Sequence, residues 1–259
     1  MVREDSIMPD VRLLAAVAAG GVLGALARFG LQQAFPHEAT GFGWATFAIN
    51  VAGCLLIGIV VAAAAESRRA PRLTRPFLVT GVLGGFTTFS TYIVDVQRAL
   101  VRGGHPGDGA GRGRSRRPAR RVRLQPSGRR CRRRPGGGSC VTVLVVAFGA
   151  AVGAPLRYLV DRLLQGRHDS PFPWGTFCVN VGGSALLGFL VAMPVSAGLQ
   201  TLLGTGFCGA LTTYSTFGFE TVTLYRSGAR TLAALYVLAS VLAGFGAAYC
   251  GMAAAQAIR

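Results

Sequence analysis

The residues best placed to do chemistry stand in one pattern written twice: Gly84-Gly-Phe-Thr-Thr-Phe-Ser-Thr-Tyr92 and Gly209-Ala-Leu-Thr-Thr-Tyr-Ser-Thr-Phe217. Each copy sets two small residues, a cluster of hydroxyls and two aromatics three apart into a run otherwise made of Leu, Val, Phe and Gly. Adjacent threonines can bond backbone carbonyls and glycines loosen a helix, so the pattern predicts a helix interrupted at membrane depth. Irregular backbone is tolerated at that depth where it is buried in protein or lines a pathway.

Two more polar elements recur in the same order. Asn50 in Trp44-Ala-Thr-Phe-Ala-Ile-Asn50 is matched by Asn180 in Trp174-Gly-Thr-Phe-Cys-Val-Asn180. A side-chain amide has two N–H donors, so each can line a polar path or join two helices. Arg28 in Gly24-Ala-Leu-Ala-Arg28 is matched by Arg157 in Gly153-Ala-Pro-Leu-Arg157. A charge within an apolar helix snorkels to the interface or finds a partner. Asp95 and Glu220, also at matched places, can pair with the arginines or cap a helix end. Three matched elements in fixed order mean a duplication.

Enzymatic chemistry is poorly served. His37, His105 and His168 all fall in expected loops, and no nucleophile, base and orienting acid fall together. Metal-ligand spacing and phosphate-cradling loops do not appear either. The six cysteines form no CxxC pair and four lie in apolar runs, where they read as small apolar filler.

The elements that must hold these residues are membrane helices. Mean hydropathy is +0.45, and the apolar residues come in blocks of about 20, the length that crosses a bilayer. The expected fold is all-α and polytopic, with about seven transmembrane helices in two units. Residues 1–100 form the first, with spans at Val11 to about Ala34, Gly43 to about Ala65 and Phe77 to Val96. Residues 140–259 form the second: Cys140 to Leu164, a span opening at Trp174, Leu199 to Tyr225, and Thr231 to about Ala257. The polar opening before Val11 lacks a convincing cleavage site, so the first span reads as a retained helix. Four arginines between Glu66 and Arg75 put that loop in the cytoplasm, and the N-terminus with it. In the second unit the bias reverses, with Arg162, Arg167 and His168 between its first two spans. The two units are thus expected upside down relative to each other, an arrangement that builds a site at the bilayer midplane.

Residues 101–139 break the scheme. The net charge of +17 comes mostly from the stretch Arg112 to Arg134, and nothing in this Arg, Gly and Pro segment could span a membrane. It sits where the first unit's fourth helix belongs and resembles a GC-rich coding sequence read out of frame. We read it as a frameshift joining two adjacent genes; an intact reading frame at the locus would exclude that. The competing reading is a basic disordered arm that binds anionic lipid or nucleic acid. The expected topology places it outside, against the positive-inside preference, so no nucleic-acid partner is expected.

Together the Gly-x-x-x-Arg, Trp-x-Thr-Phe-x-x-Asn and Gly-x-x-Thr-Thr-[Phe/Tyr]-Ser-Thr-[Phe/Tyr] elements resemble the Fluc (CrcB) fluoride-channel family over both units. That resemblance implies four-helix units with a broken third helix, paired antiparallel, that let fluoride leave the cytoplasm passively through the cell membrane. It implies a pore lined by Asn50 and Asn180, by hydroxyls among Ser90, Thr91, Ser215 and Thr216, and by a phenylalanine box at Phe89, Tyr92, Tyr214 and Phe217 whose ring edges face the ion. Tyr236 and Ser240, four apart on one helix face, match a polar track on the fourth helix, with Gly244 where a further hydroxyl would stand. Arg28 and Arg157 match a vestibule arginine, and the carbonyls of Gly84, Thr87, Gly209 and Thr212 match those that hold a central structural sodium ion. Tyr stands for Phe once per unit, so the two pores need not conduct equally. Other classes compatible with the sequence are a membrane assembly protein using the basic arm to bind lipid, and a secondary transporter with inverted repeats. Further self-association could supply the missing helix.

Overall fold

The structure, a computed structural model, describes residues 10–35, 42–66, 71–103, 137–166 and 170–259. The body of the basic segment, residues 104–136, lies outside the described residues, as do the three histidines and Arg68, Arg69 and Arg167 from the loops used for topology. Every described element is helical: α1 (Val11–Ala34), α2 (Trp44–Glu66), α3 (Phe89–Gly103), α4 (Gly137–Gln165), α5 (Trp174–Ala192), α6 (Ser215–Arg226) and α7 (Arg230–Ala257). Among the described residues six segments are long and apolar enough to cross a membrane. The seventh expected span, interrupted before Ser215–Arg226, is not one of them.

Both interrupted helices are built alike. A π-wound stretch, Pro76–Leu83 or Gln200–Cys208, runs into one α-turn, Gly84–Phe86 or Gly209–Leu211. The chain then extends at Thr87 (ψ 156°) or Thr212 (ψ 154°) before α3 or α6 begins. Each threonine hydroxyl donates back to the carbonyl four residues earlier, Thr87 Oγ1 to Leu83 at 3.2 Å and Thr212 Oγ1 to Cys208 at 3.0 Å. That back-bonding competes with the helical ladder and ends the turn where the sequence pattern predicts.

Lipid offers no hydrophobic drive for helix association, so close packing and hydrogen bonds must hold the bundle. Small residues permit it. A Cβ on Gly24 of α1 would fall 2.0 Å from the Val82 carbonyl oxygen, and one on Gly153 of α4 would fall 2.5 Å from that of Phe207. The buried core is shared between units: Phe89 and Ile93 of the first pack with Leu187, Phe217, Leu224 and Tyr236 of the second. A second cluster joins Val17 and Ala25 of α1 to Val146, Ala150 and Ala154 of α4.

The described helices differ between the units. In the second, α7 lies on α5 with Gly251 against the Ala185 carbonyl oxygen. In the first, no described helix takes that place, and Leu55 and Ile59 of α2 stay exposed to lipid.

Candidate ion pathway

The two breaks meet at the centre and clasp each other through hydroxyls. Thr87 Oγ1 lies 3.0 Å from Ser215 Oγ, and Ser90 Oγ lies 3.1 Å from Thr212 Oγ1, the same contact with the units exchanged. The Ser215 amide donates to Thr87 Oγ1 and the Ser90 amide to Thr212 Oγ1. Reciprocal pairs of this kind define an approximate two-fold relation. The expected hydroxyls therefore fall into two groups. Ser90 and Ser215 join Thr87 and Thr212 in the fully buried clasp. Thr91 and Thr216 stand further out, accepting from Thr88 Oγ1 at 3.1 Å and Thr213 Oγ1 at 3.2 Å.

Asn50 and Asn180 hold the breaks open. Asn50 Nδ2 donates to the Thr88 carbonyl at 2.9 Å while its Oδ1 accepts the Thr88 amide at 3.0 Å. Asn180 does the same to Thr213 at 3.1 and 2.9 Å. Each amide replaces the helical partners that one residue lost at the break. Since Nδ2 carries two hydrogens, one N–H of each asparagine is not used in this pairing.

The arginines reach across the two-fold. Arg28 Nε donates to the Gly85 carbonyl at 3.2 Å in its own unit, and its Nη2 to the Thr205 carbonyl at 3.0 Å in the other. Arg157 Nη1 donates to the carbonyls of Ala210 and Gly84, each at 2.8 Å, and its Nη2 to that of Thr80. Both side chains are buried, with 1% and 4% of their surface exposed. Only glycine fits beneath them, since a Cβ on Gly84 would fall 2.1 Å from Arg157 Nη2 and one on Gly209 2.2 Å from Arg28 Nη1. Burial against carbonyls left bare by the interruption accounts for two charges within apolar helices.

Of the four carbonyls matched to a sodium ion, that of Gly84 accepts from Arg157. A carbonyl has two lone pairs, and neutral backbone oxygens suit a hard monovalent cation, so the donor set is chemically suited to sodium with Gly84 shared.

The four aromatics form one cluster, in which Tyr214 also meets Phe217 at 5.7 Å and stacks on Phe89 at 6.2 Å. Phe89 and Phe217 meet edge to face with centroids 5.6 Å apart, and Tyr92 and Tyr214 meet in the same way at 5.5 Å. Behind the phenylalanines stands α7. Tyr236 lies 5.2 Å from Phe217, centroid to centroid, and Gly244 abuts the Phe89 ring edge. Ser240, one turn from each along the same face, is 1% exposed, and its Oγ has no hydrogen-bond partner among the described residues.

Glu220 lies beside Tyr236. Its carboxylate accepts from Thr176 Oγ1 at 2.9 Å and from the Tyr236 hydroxyl at 2.8 Å. In the first unit Thr46 Oγ1 donates to Asp95 at 3.0 Å. Sequence reasoning missed Thr46 and Thr176, although both occupy the third position of the Trp-x-Thr-Phe element. That shared position was the available signal. It placed the acids beside the arginines or at a helix end, whereas each accepts a threonine hydroxyl.

A duplicated, helical bundle with two clasped interruptions and buried polar side chains defines a multi-pass integral membrane protein of the ion-pathway class. The family model described as CrcB-like protein, Camphor Resistance (CrcB), matches it twice, over residues 15–111 and 144–252, and the chain belongs to that family. Among curated relatives, "Fluoride-specific ion channel FluC 1" of Streptomyces avermitilis is 56% identical over 120 residues, spanning 44% of this chain and 96% of the relative. The protein of the same name from Frankia casuarinae is 57% identical over 125 residues, again 44% and 96%, and that from Nocardia farcinica is 48% identical over 130 residues, 49% and 92%. Each relative thus corresponds to about half of this chain, as expected of a tandem form.

Proposed function

We propose that the chain is a passive, fluoride-selective channel of the cell membrane that lets fluoride leave the cytoplasm, with no enzymatic step. The observation that carries this is the buried Ser240 hydroxyl, without a partner, on the helix face that also meets Phe217 and Phe89. A small, strongly hydrated anion needs its water replaced by neutral donors, without a fixed cation that would trap it. A hydroxyl, the unused N–H of an asparagine and electropositive ring edges supply such donors. The arginines, already bonded to carbonyls, bring positive potential to the centre. The names of the relatives agree with this reading.

The two units pair antiparallel in this proposal. Residues 1–100 and 140–259 are the two units, with 101–139 a frameshifted remnant of the missing helix. Sodium is held by the carbonyls of Gly84, Thr87, Gly209 and Thr212, where its charge offsets their converging dipoles. The test is fluoride efflux from liposomes holding this chain, read with a fluoride electrode. Rapid electrogenic efflux without a proton or sodium gradient is expected. Efflux that requires such a gradient would make the protein a transporter instead.

A further inference from the structure

We propose that fluoride crosses this protein by one pathway only, the one lined by Phe89, Phe217, Tyr236 and Ser240, and that the related path past Tyr92 and Tyr214 does not conduct. The inference rests on the fluoride-channel reading and assigns its route. Along the chain each unit carries one Phe and one Tyr, so neither unit is chemically favoured. The fold removes that balance, because the first aromatic of one unit meets the second aromatic of the other. Phe89 thereby meets Phe217 and Tyr214 meets Tyr92, with Tyr214 also touching both phenylalanines from its own side.

Three differences follow. Phe89 and Phe217 are buried, whereas Tyr92 and Tyr214 are half-buried. The phenylalanine side is backed by α7, which supplies the unpartnered Ser240 hydroxyl and the Tyr236 ring, whose own hydroxyl is committed to Glu220. No described helix takes the corresponding place beside the tyrosines, where Tyr92 instead meets Phe42, at 6.4 Å. An anion stripped of water needs donors along its whole passage, since a gap with none costs several kcal/mol of uncompensated desolvation. Among the described residues the tyrosine side has no counterpart of the Ser240 hydroxyl.

The matched pair Phe217→Ile and Tyr92→Ile tests this, since both stand at the second aromatic position of their repeat. In proteoliposome efflux, Phe217→Ile should lower the rate more than tenfold and Tyr92→Ile less than twofold. Ser240→Ala is the second arm, because its oxygen makes no bond that the fold could lose; it should lower the rate at least threefold with an unchanged size-exclusion profile. Equal losses from the two isoleucine variants, a larger loss from Tyr92→Ile, or full activity of Ser240→Ala would each overturn the single route while leaving the channel reading intact. No efflux from the monodisperse, unaltered chain would overturn the channel reading and the route with it.

Discussion

Gly188 lies so close to Ala248 that a Cβ on it would fall 2.2 Å from the Ala248 carbonyl oxygen, while its counterpart Gly58 has no described atom within 4 Å of the same position. The same residue type is thus a packing requirement in one unit and, among the described residues, an open position in the other. Gly188→Val should force α7 off α5 and cost about 1–3 kcal/mol, the usual range for overpacking. Gly58→Val should leave the thermal midpoint in detergent within a degree or so of the unaltered chain, since a methyl facing lipid meets nothing. Equal losses would mean that a helix covers α2 after all.

Arg157 donates to three carbonyls and Arg28 to two. A buried acceptor left without its donor costs about 1–3 kcal/mol. Arg157→Gln should therefore lower thermal stability more than Arg28→Gln, and each should weaken the contact between the units. Lysine should rescue neither, because an ammonium cannot reproduce the planar fork of donors. Thermal unfolding followed by size-exclusion chromatography ranks the variants.

Asn50 and Asn180 each hold a peptide group at a break. Asn50→Ala with Asn180→Ala should abolish efflux and lower stability by several kcal/mol, from four lost bonds to buried backbone. Either single variant should be destabilised by about half as much. Loss of efflux with unchanged stability would assign the amides to the ion alone and not to the breaks.

The proposed sodium makes stability depend on that cation. Replacing sodium chloride with the N-methylglucamine salt at equal ionic strength should lower the thermal midpoint, and adding back millimolar sodium should restore it. Binding to the native state alone stabilises by RT ln(1 + [L]/Kd), so the midpoint should rise with sodium concentration. A flat response would remove sodium from the proposal. Of the four carbonyls, that of Gly84 would then be served by Arg157.

Much of the fold was legible because membrane helices announce themselves locally. About 20 apolar residues in a row are decisive whatever their neighbours, and the recurrence of Arg28, Asn50 and the Thr87 pattern at Arg157, Asn180 and Thr212 established the duplication. The breaks were legible too, since paired threonines compete for carbonyls within their own turn. The reading of the Arg, Gly and Pro segment in place of a fourth helix falls on residues outside the described ones.

The sequence by itself determined the spans, the repeats, the sites of interruption and the identities of the polar residues. Only the tertiary structure decided which of them meet. It placed Ser90 and Ser215 in the clasp with Thr87 and Thr212, and left Thr91 and Thr216 outside it. It buried Arg28 and Arg157 against carbonyls of the opposite unit, and it joined Phe with Phe and Tyr with Tyr. The physical reason is that these contacts link residues more than 70 positions apart across a two-fold. Periodicity tells which face of a helix a side chain occupies, but the closeness allowed by glycines such as Gly24 and Gly153 sets which face it will touch.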